Sequence, residues 1–129
     1  MEKYKPTESE LEILNILWEN GQLTVKDVND RLSFTKDVGY TTTLKIMQIM
    51  FDKKILSREK VGRSHVYKAI LKKNDTQSLL IDKILETAFS GSASKLVMQA
   101  IGRQNTTKEE LEEIKNYLEL LEKEKNGTK

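Results

Sequence analysis

"ILSREKVGRSHVYKAI", residues 55–70, is the stretch whose reading decides the fold. Apolar and polar residues alternate on either side of a glycine-containing turn, and a period of two is the mark of strands. The segment therefore predicts a hairpin with strands near 55–60 and 64–70. Ile55, Val66 and one of Tyr67 or Ala69 anchor it, which leaves Arg58, Lys60, Arg63 and Lys68 for solvent or a partner.

Upstream of the hairpin the period is helical. Thr7 to Glu10 forms a capping-box pattern after Pro6, followed by Leu11, Leu14, Ile16, Leu17 and Trp18 at three- and four-residue spacing, with Gly21 as the stop. "QLT" reads as a short extended link. Thr24 then caps a second helix that carries Val25, Val28 and Leu32 on one face, and "SFTKDVG" follows as a polar turn. A third helix is predicted from about Thr41 to Lys54, with Leu44, Met47, Met50 and Phe51 inward. Three helices followed by a basic hairpin is the order of a winged helix-turn-helix domain, assigned to residues 1–73.

Downstream, residues 74–129 read as helical throughout. Asp75 or Thr76 caps a helix with Leu79, Leu80, Ile84, Leu85 and Phe89; "SGSAS" breaks it; Leu96, Val97, Ala100 and Ile101 mark the next. Thr107 and Glu110 form another capping box, and the last helix shows Leu111, Ile114, Leu118 and Leu121 in a heptad-like series with Tyr117 beside it. So short a segment buries this much leucine poorly by itself. A second copy of the chain is the expected cover, in a closed two-fold interface built on Leu111, Ile114, Tyr117, Leu118 and Leu121, although an intramolecular helical cap satisfies the same pattern. The fold class is thus mainly α with a small β-hairpin wing: an N-terminal winged helix-turn-helix domain and a C-terminal helical dimerisation domain.

Composition narrows the function. Cysteine is absent and there is one histidine, so neither a disulfide framework nor a thiolate metal site is possible, and no cofactor or metal is expected. No apolar run is long enough to span a bilayer and the charged start has no signal-peptide core, so a soluble cytoplasmic protein without direct membrane association is expected. No G-x-S-x-G, H-E-x-x-H or P-loop pattern occurs, and the chain is not expected to be an enzyme.

The 22 basic and 20 acidic residues are unevenly placed. Residues 1–35 hold four basic and seven acidic side chains, net −3; residues 36–73 hold ten and three, net +7; residues 74–129 hold eight and ten, net −2. The basic block coincides with the third helix and hairpin, the pattern of a surface that faces a polyanion. "YTTTLKIM" places three threonines, poor helix formers, where that helix begins. In a major groove their hydroxyls would bond phosphate and their methyls would touch thymine. Tyr40, Thr41, Thr42, Thr43, Lys45 and Gln48 are the expected DNA-contacting residues of the helix, with Lys60, Arg63 and Ser64, assisted by His65, in the wing. Arg63 beside Gly62 suits phosphate or a narrow minor groove.

Taken in order, "TESELEILNILWENGQLTVKDV", "YTTTLKIMQIMFDKKIL", "GRSHVY", "FSGSASKLV" and "TTKEELEEIKNYLELLE" make the sequence resemble the BlaI/MecI family of bacterial penicillinase and methicillin-resistance repressors over nearly its whole length. The resemblance implies a homodimer that binds the two halves of a palindromic operator in double-stranded DNA and blocks transcription. It also implies control of β-lactam resistance genes and release by proteolysis, triggered by a membrane-bound sensor protease. The family's cleaved Asn-Phe pair falls at Gln99-Ala100 here. Many members have an arginine near Ile49 and a glycine near Lys54, so the family's operator sequence does not carry over to this chain by resemblance. The related copper-responsive repressors carry a cysteine-rich metal hook that this chain lacks. Two alternatives share the fold: a winged-helix module that binds protein without DNA, and a DNA-binding regulator switched by a ligand.

Overall fold

The computed structural model describes residues 4–103 and 105–127. Helix α1 spans Glu8–Asn20, α2 Val25–Leu32 and α3 Tyr40–Asp52; strands β1 (Leu56–Val61) and β2 (Ser64–Ala69) follow, then α4 (Lys73–Ala88), α5 (Ala93–Arg103) and α6 (Lys108–Gly127). This is the mainly helical, hairpin-bearing fold that the sequence predicts.

Local chemistry sets the boundaries. Thr7 Oγ1 accepts from the Glu10 N–H at 3.2 Å while the Thr7 N–H donates to Glu10 Oε1 at 3.0 Å, so the capping box is formed in both directions. Thr24 and Asp27 repeat the device on α2. Helix α3 starts one residue earlier than expected, behind Gly39, with no side-chain cap. It ends in a Schellman turn: the Ile55 N–H donates to Met50 O at 3.1 Å and the Lys54 N–H to Phe51 O at 3.0 Å, with Lys54 at φ 66°. Helix α4 begins at Lys73, so Asp75 and Thr76 lie inside its first turn instead of capping it, and Thr76 is buried.

The hairpin pairs Leu56 with Ala69 through Val61 with Ser64, leaving Gly62 and Arg63 as a two-residue turn. Only Gly62 of that pair has positive φ, at 63°, which is the type II′ pattern and matches the twist of the strands. Ile55 belongs to the helix cap, so the inward set of β1 starts at Leu56 and counts by two to Arg58. "QLT" is more than a link, because Leu23 bridges Tyr67 through two backbone hydrogen bonds of 3.1 and 2.7 Å and adds a third short edge to the hairpin.

The core draws on every element of this region. Ile13, Leu14 and Leu17 of α1 meet Val25, Val28 and Leu32 of α2, Met47 and Met50 of α3, and Ile55, Leu56 and Tyr67 from the hairpin. Trp18 Nε1 donates to Leu71 O at 2.9 Å and ties α1 to the chain leaving the sheet. The chain divides into two compact units, Met1–Lys83 and Ile84–Lys129, with the boundary inside α4. In the second unit no described residue is fully buried.

Candidate nucleic-acid interface

The inner face of α3 is set by Thr43, Met47 and Met50, each with no exposed surface. A helical period of 3.6 then sends Thr41, Lys45, Gln48 and Asp52 outward, with Thr42 and Ile49 on one shoulder, and all six are exposed. Tyr40, in the first turn, is also about half exposed at 49%.

Thr43 corrects the sequence reading. It is fully buried, not DNA-facing, and its side chain meets Asn29 of α2. With the Asn29 amide turned so that its nitrogen faces acceptors, it donates to Val38 O and Gly39 O at 3.2 Å each and to Thr43 Oγ1 at 2.6 Å. One side chain of α2 thus fixes both the turn and the first residues of α3. The three threonines divide by the helical period: two face solvent and the third locks the helix-turn-helix angle.

Arg58 is the second correction. It is not left for a partner: its guanidinium lies 4.0 Å above the Phe51 ring, and its Nη1 donates to Tyr67 Oη at 3.4 Å. Alternation counted from Ile55 places Arg58 on the outer face; the observed register places it on the inner one. The lysine and arginine that remain outward, Lys60 and Arg63, sit with Ser64 at the exposed end of the hairpin, and His65 and Lys68 are exposed along β2. Lys45, Lys60, Arg63 and Lys68 enter no ion pair among the described residues; the lysines that do are Lys26, Lys36 and Lys53.

At the far end of α3 a buried carboxylate acts as an anchor. Glu10, 3% exposed, accepts from Tyr4 Oη at 2.7 Å and from Lys53 Nζ at 3.1 Å, and Lys53 Nζ also reaches Tyr4 Oη at 3.0 Å. Burial alone would raise the Glu10 pKa, but hydrogen bonds from Thr7, Tyr4 and Lys53 and the Lys53 charge outweigh it and hold the carboxyl below its ordinary range. The same contacts with Tyr4 and Glu10 raise the pKa of Lys53. Sequence reasoning missed this cluster because Glu10 read as a capping residue alone; its only further signal was a carboxylate on the apolar side of an amphipathic helix.

In the second unit the expected interface residues are uncovered: Leu111 is 45%, Tyr117 60%, Leu118 52% and Leu121 38% exposed, and Ile114 is half-buried. Leu118 and Leu121 line a shallow hollow with Glu122 and Lys125. Gln99 and Ala100 lie on α5, both exposed. Among the described residues no group of three or more His, Asp or Glu side chains is placed to hold a metal ion, and no helix is long and apolar enough to cross a membrane.

The chain is similar to the methicillin resistance regulatory protein MecI of Staphylococcus aureus, 19% identical over 115 residues that cover 89% of this chain and 94% of that one. It is similar to the penicillinase repressor of Bacillus licheniformis, 23% identical over 123 residues and covering 95% and 94%. It also resembles the transcriptional regulator BlaI of Mycobacterium tuberculosis, 24% identical over 93 residues and covering 70% and 67%. Among solved structures, a MarR family protein from Bacillus stearothermophilus superposes with a TM-score of 0.52 at 18% identity, covering 95% of this chain and 77% of that one, which supports the winged-helix fold. The penicillinase repressor family model matches residues 6–120, and this chain belongs to that family.

Proposed function

We propose that the chain is a transcriptional repressor that binds a palindromic operator in double-stranded DNA as a homodimer. Residues 1–73 form the DNA-binding domain and residues 74–129 the dimerisation domain. Helix α3 enters the major groove with Tyr40, Thr41, Thr42, Lys45 and Gln48 toward the duplex, while Lys60, Arg63 and Ser64 of the wing meet the backbone beside it. The observation that carries this reading is the set of exposed cations, Lys45, Lys60, Arg63 and Lys68, that α3 and the hairpin place together in the most basic third of the chain. With two-fold symmetry the two α3 helices read half-sites roughly 34–36 Å apart.

The second copy is supported by the second unit, in which leucines and a tyrosine that a stable fold would cover stand open on α6. β-Lactam resistance genes are the proposed targets, by kinship with the repressors above. Release by a sensor protease is proposed by the same kinship, with Gln99-Ala100 as the candidate bond although it departs from the family's Asn-Phe pair. That bond lies within α5, so the helix must unwind locally before a protease can accept it in extended form.

Fluorescence anisotropy with labelled duplex tests the reading. Affinity is expected to fall steeply with salt, because each neutralised phosphate releases counterion and contributes a slope of about −0.9 to log K against log salt. Lys45→Ala and Arg63→Ala should each weaken binding and flatten that slope by about one unit. Salt-independent binding, or wild-type affinity and slope in both variants, refutes it.

A further inference from the structure

We infer that Ile49 selects a thymine in each half-site by touching its 5-methyl group. The inference rests on the reading of α3 as the groove-facing helix and adds to it the identity of one base.

Ile49 is the exposed aliphatic side chain of α3. It is 40% exposed, and it is not among the side chains that pack on the core, whereas Ile46, one turn earlier, is. Its outward neighbours at helical spacing are Thr42, Lys45 and Asp52, all polar and exposed. As a β-branched residue it adds nothing to the helix that leucine or glutamine would not add better. Helix propensity does not account for an isoleucine here.

The chemistry of the groove supplies a reason. Base edges in the major groove present acceptors and donors everywhere except at one point, the C5-methyl of thymine. A branched aliphatic side chain among polar reading residues is complementary to that group alone. Against cytosine it would cover the exocyclic amine without accepting its hydrogen bond, and against guanine it would cover two acceptors without donating to them. Ile49 therefore both favours thymine and disfavours the G·C pair, and the exclusion is as much a part of the selection as the contact. Lys45, one turn earlier on the same stripe, is free to take the adjacent guanine or phosphate.

Deoxyuridine isolates the methyl group, since it keeps every hydrogen-bonding atom of thymine. Full-length protein is first used to enrich binding sites from a pool of random duplexes. Each thymine of the enriched duplex is then replaced singly by deoxyuridine, and binding is measured for wild type and for Ile49→Ala. At one thymine in each half-site, loss of the methyl is expected to weaken wild-type binding about four-fold, while Ile49→Ala binds the two duplexes equally. Ile49→Ala should fold as wild type does, because the side chain it removes lies outside the core; a thermal melt checks this. Indifference of the wild type to every substitution overturns the inference and leaves the parent reading standing, as does an Ile49→Ala protein that keeps the full preference for thymine. Failure to enrich any duplex removes the parent reading and this one with it.

Discussion

Replacing Lys54 by glycine should stabilise the protein, although no contact is gained. Lys54 stands at the left-handed position of the turn that ends α3, at φ 66°, and the Lys54 and Ile55 amides both bond back to the helix. A residue with a Cβ in that conformation bears about 1–2 kcal/mol of steric cost. Glycine removes the cost but gives up about 0.5–1 kcal/mol through its greater freedom in the unfolded chain. The net gain is about 0–1.5 kcal/mol, centred on about 0.8. Charge confounds a direct comparison, since a cation at a helix C-terminus is worth about 0.3–1 kcal/mol. Lys54→Ala is therefore the reference: it removes the charge and keeps the Cβ. Urea unfolding of the two variants should place the glycine midpoint above the alanine one by a few tenths of molar, given a slope of about 1–3 kcal/mol per molar. The turn's own hydrogen bonds and the burial of Ile55 and Met50 are common to both variants. A glycine variant no more stable than the alanine one would refute the idea that the backbone is strained at this position. Confirmation would give a physical reason for the glycine that many BlaI/MecI proteins carry near this point.

Asn29→Ala should cost about 1–3 kcal/mol in denaturant unfolding, because the Val38 and Gly39 carbonyls and the buried Thr43 hydroxyl lose a common partner. Unchanged stability would mean that water replaces the amide. The Glu10 carboxyl titrates below its ordinary range in the folded chain, so its contribution is complete above the unfolded glutamate pKa and declines as pH falls through the folded one. Urea midpoints from pH 7 downward should show an acid-dependent loss that Glu10→Gln reduces; identical profiles would contradict the shift. Leu118→Asp should abolish self-association in sedimentation and lower DNA affinity with it, since a charge enters an apolar seam. A dimer that survives the substitution would move the interface elsewhere.

Period and punctuation carried most of the fold. Thr7, Thr24, Gly21 and Gly62 are local signals, and the helices and hairpin they bound were legible because capping and turn chemistry act within a few residues of chain. The errors occurred where a residue serves something distant. Thr43 resembles Thr41 and Thr42 in sequence and differs only in facing Asn29, fourteen positions earlier. Arg58 was misplaced because Ile55 has two possible allegiances, to the strand or to the helix end, and one residue of register reverses every side chain after it. Glu10 already had a local role, which concealed a distant one with Lys53. The outward positions Lys45 and Gln48 followed from helical counting alone, whereas Lys60 and Arg63 are exposed because they lie at the far end of the hairpin.

The Arg58 side chain, laid on Phe51 and bonded to Tyr67, has a mechanical consequence. It is a rivet between α3 and the hairpin, so the pitch of one against the other is settled before any duplex arrives. A hairpin hinged freely on its helix could adapt to grooves of many widths. On the proposed reading, a duplex that engaged both would have to fit the spacing this contact favours, and the flexibility of bases the protein never touches would then become part of the selection.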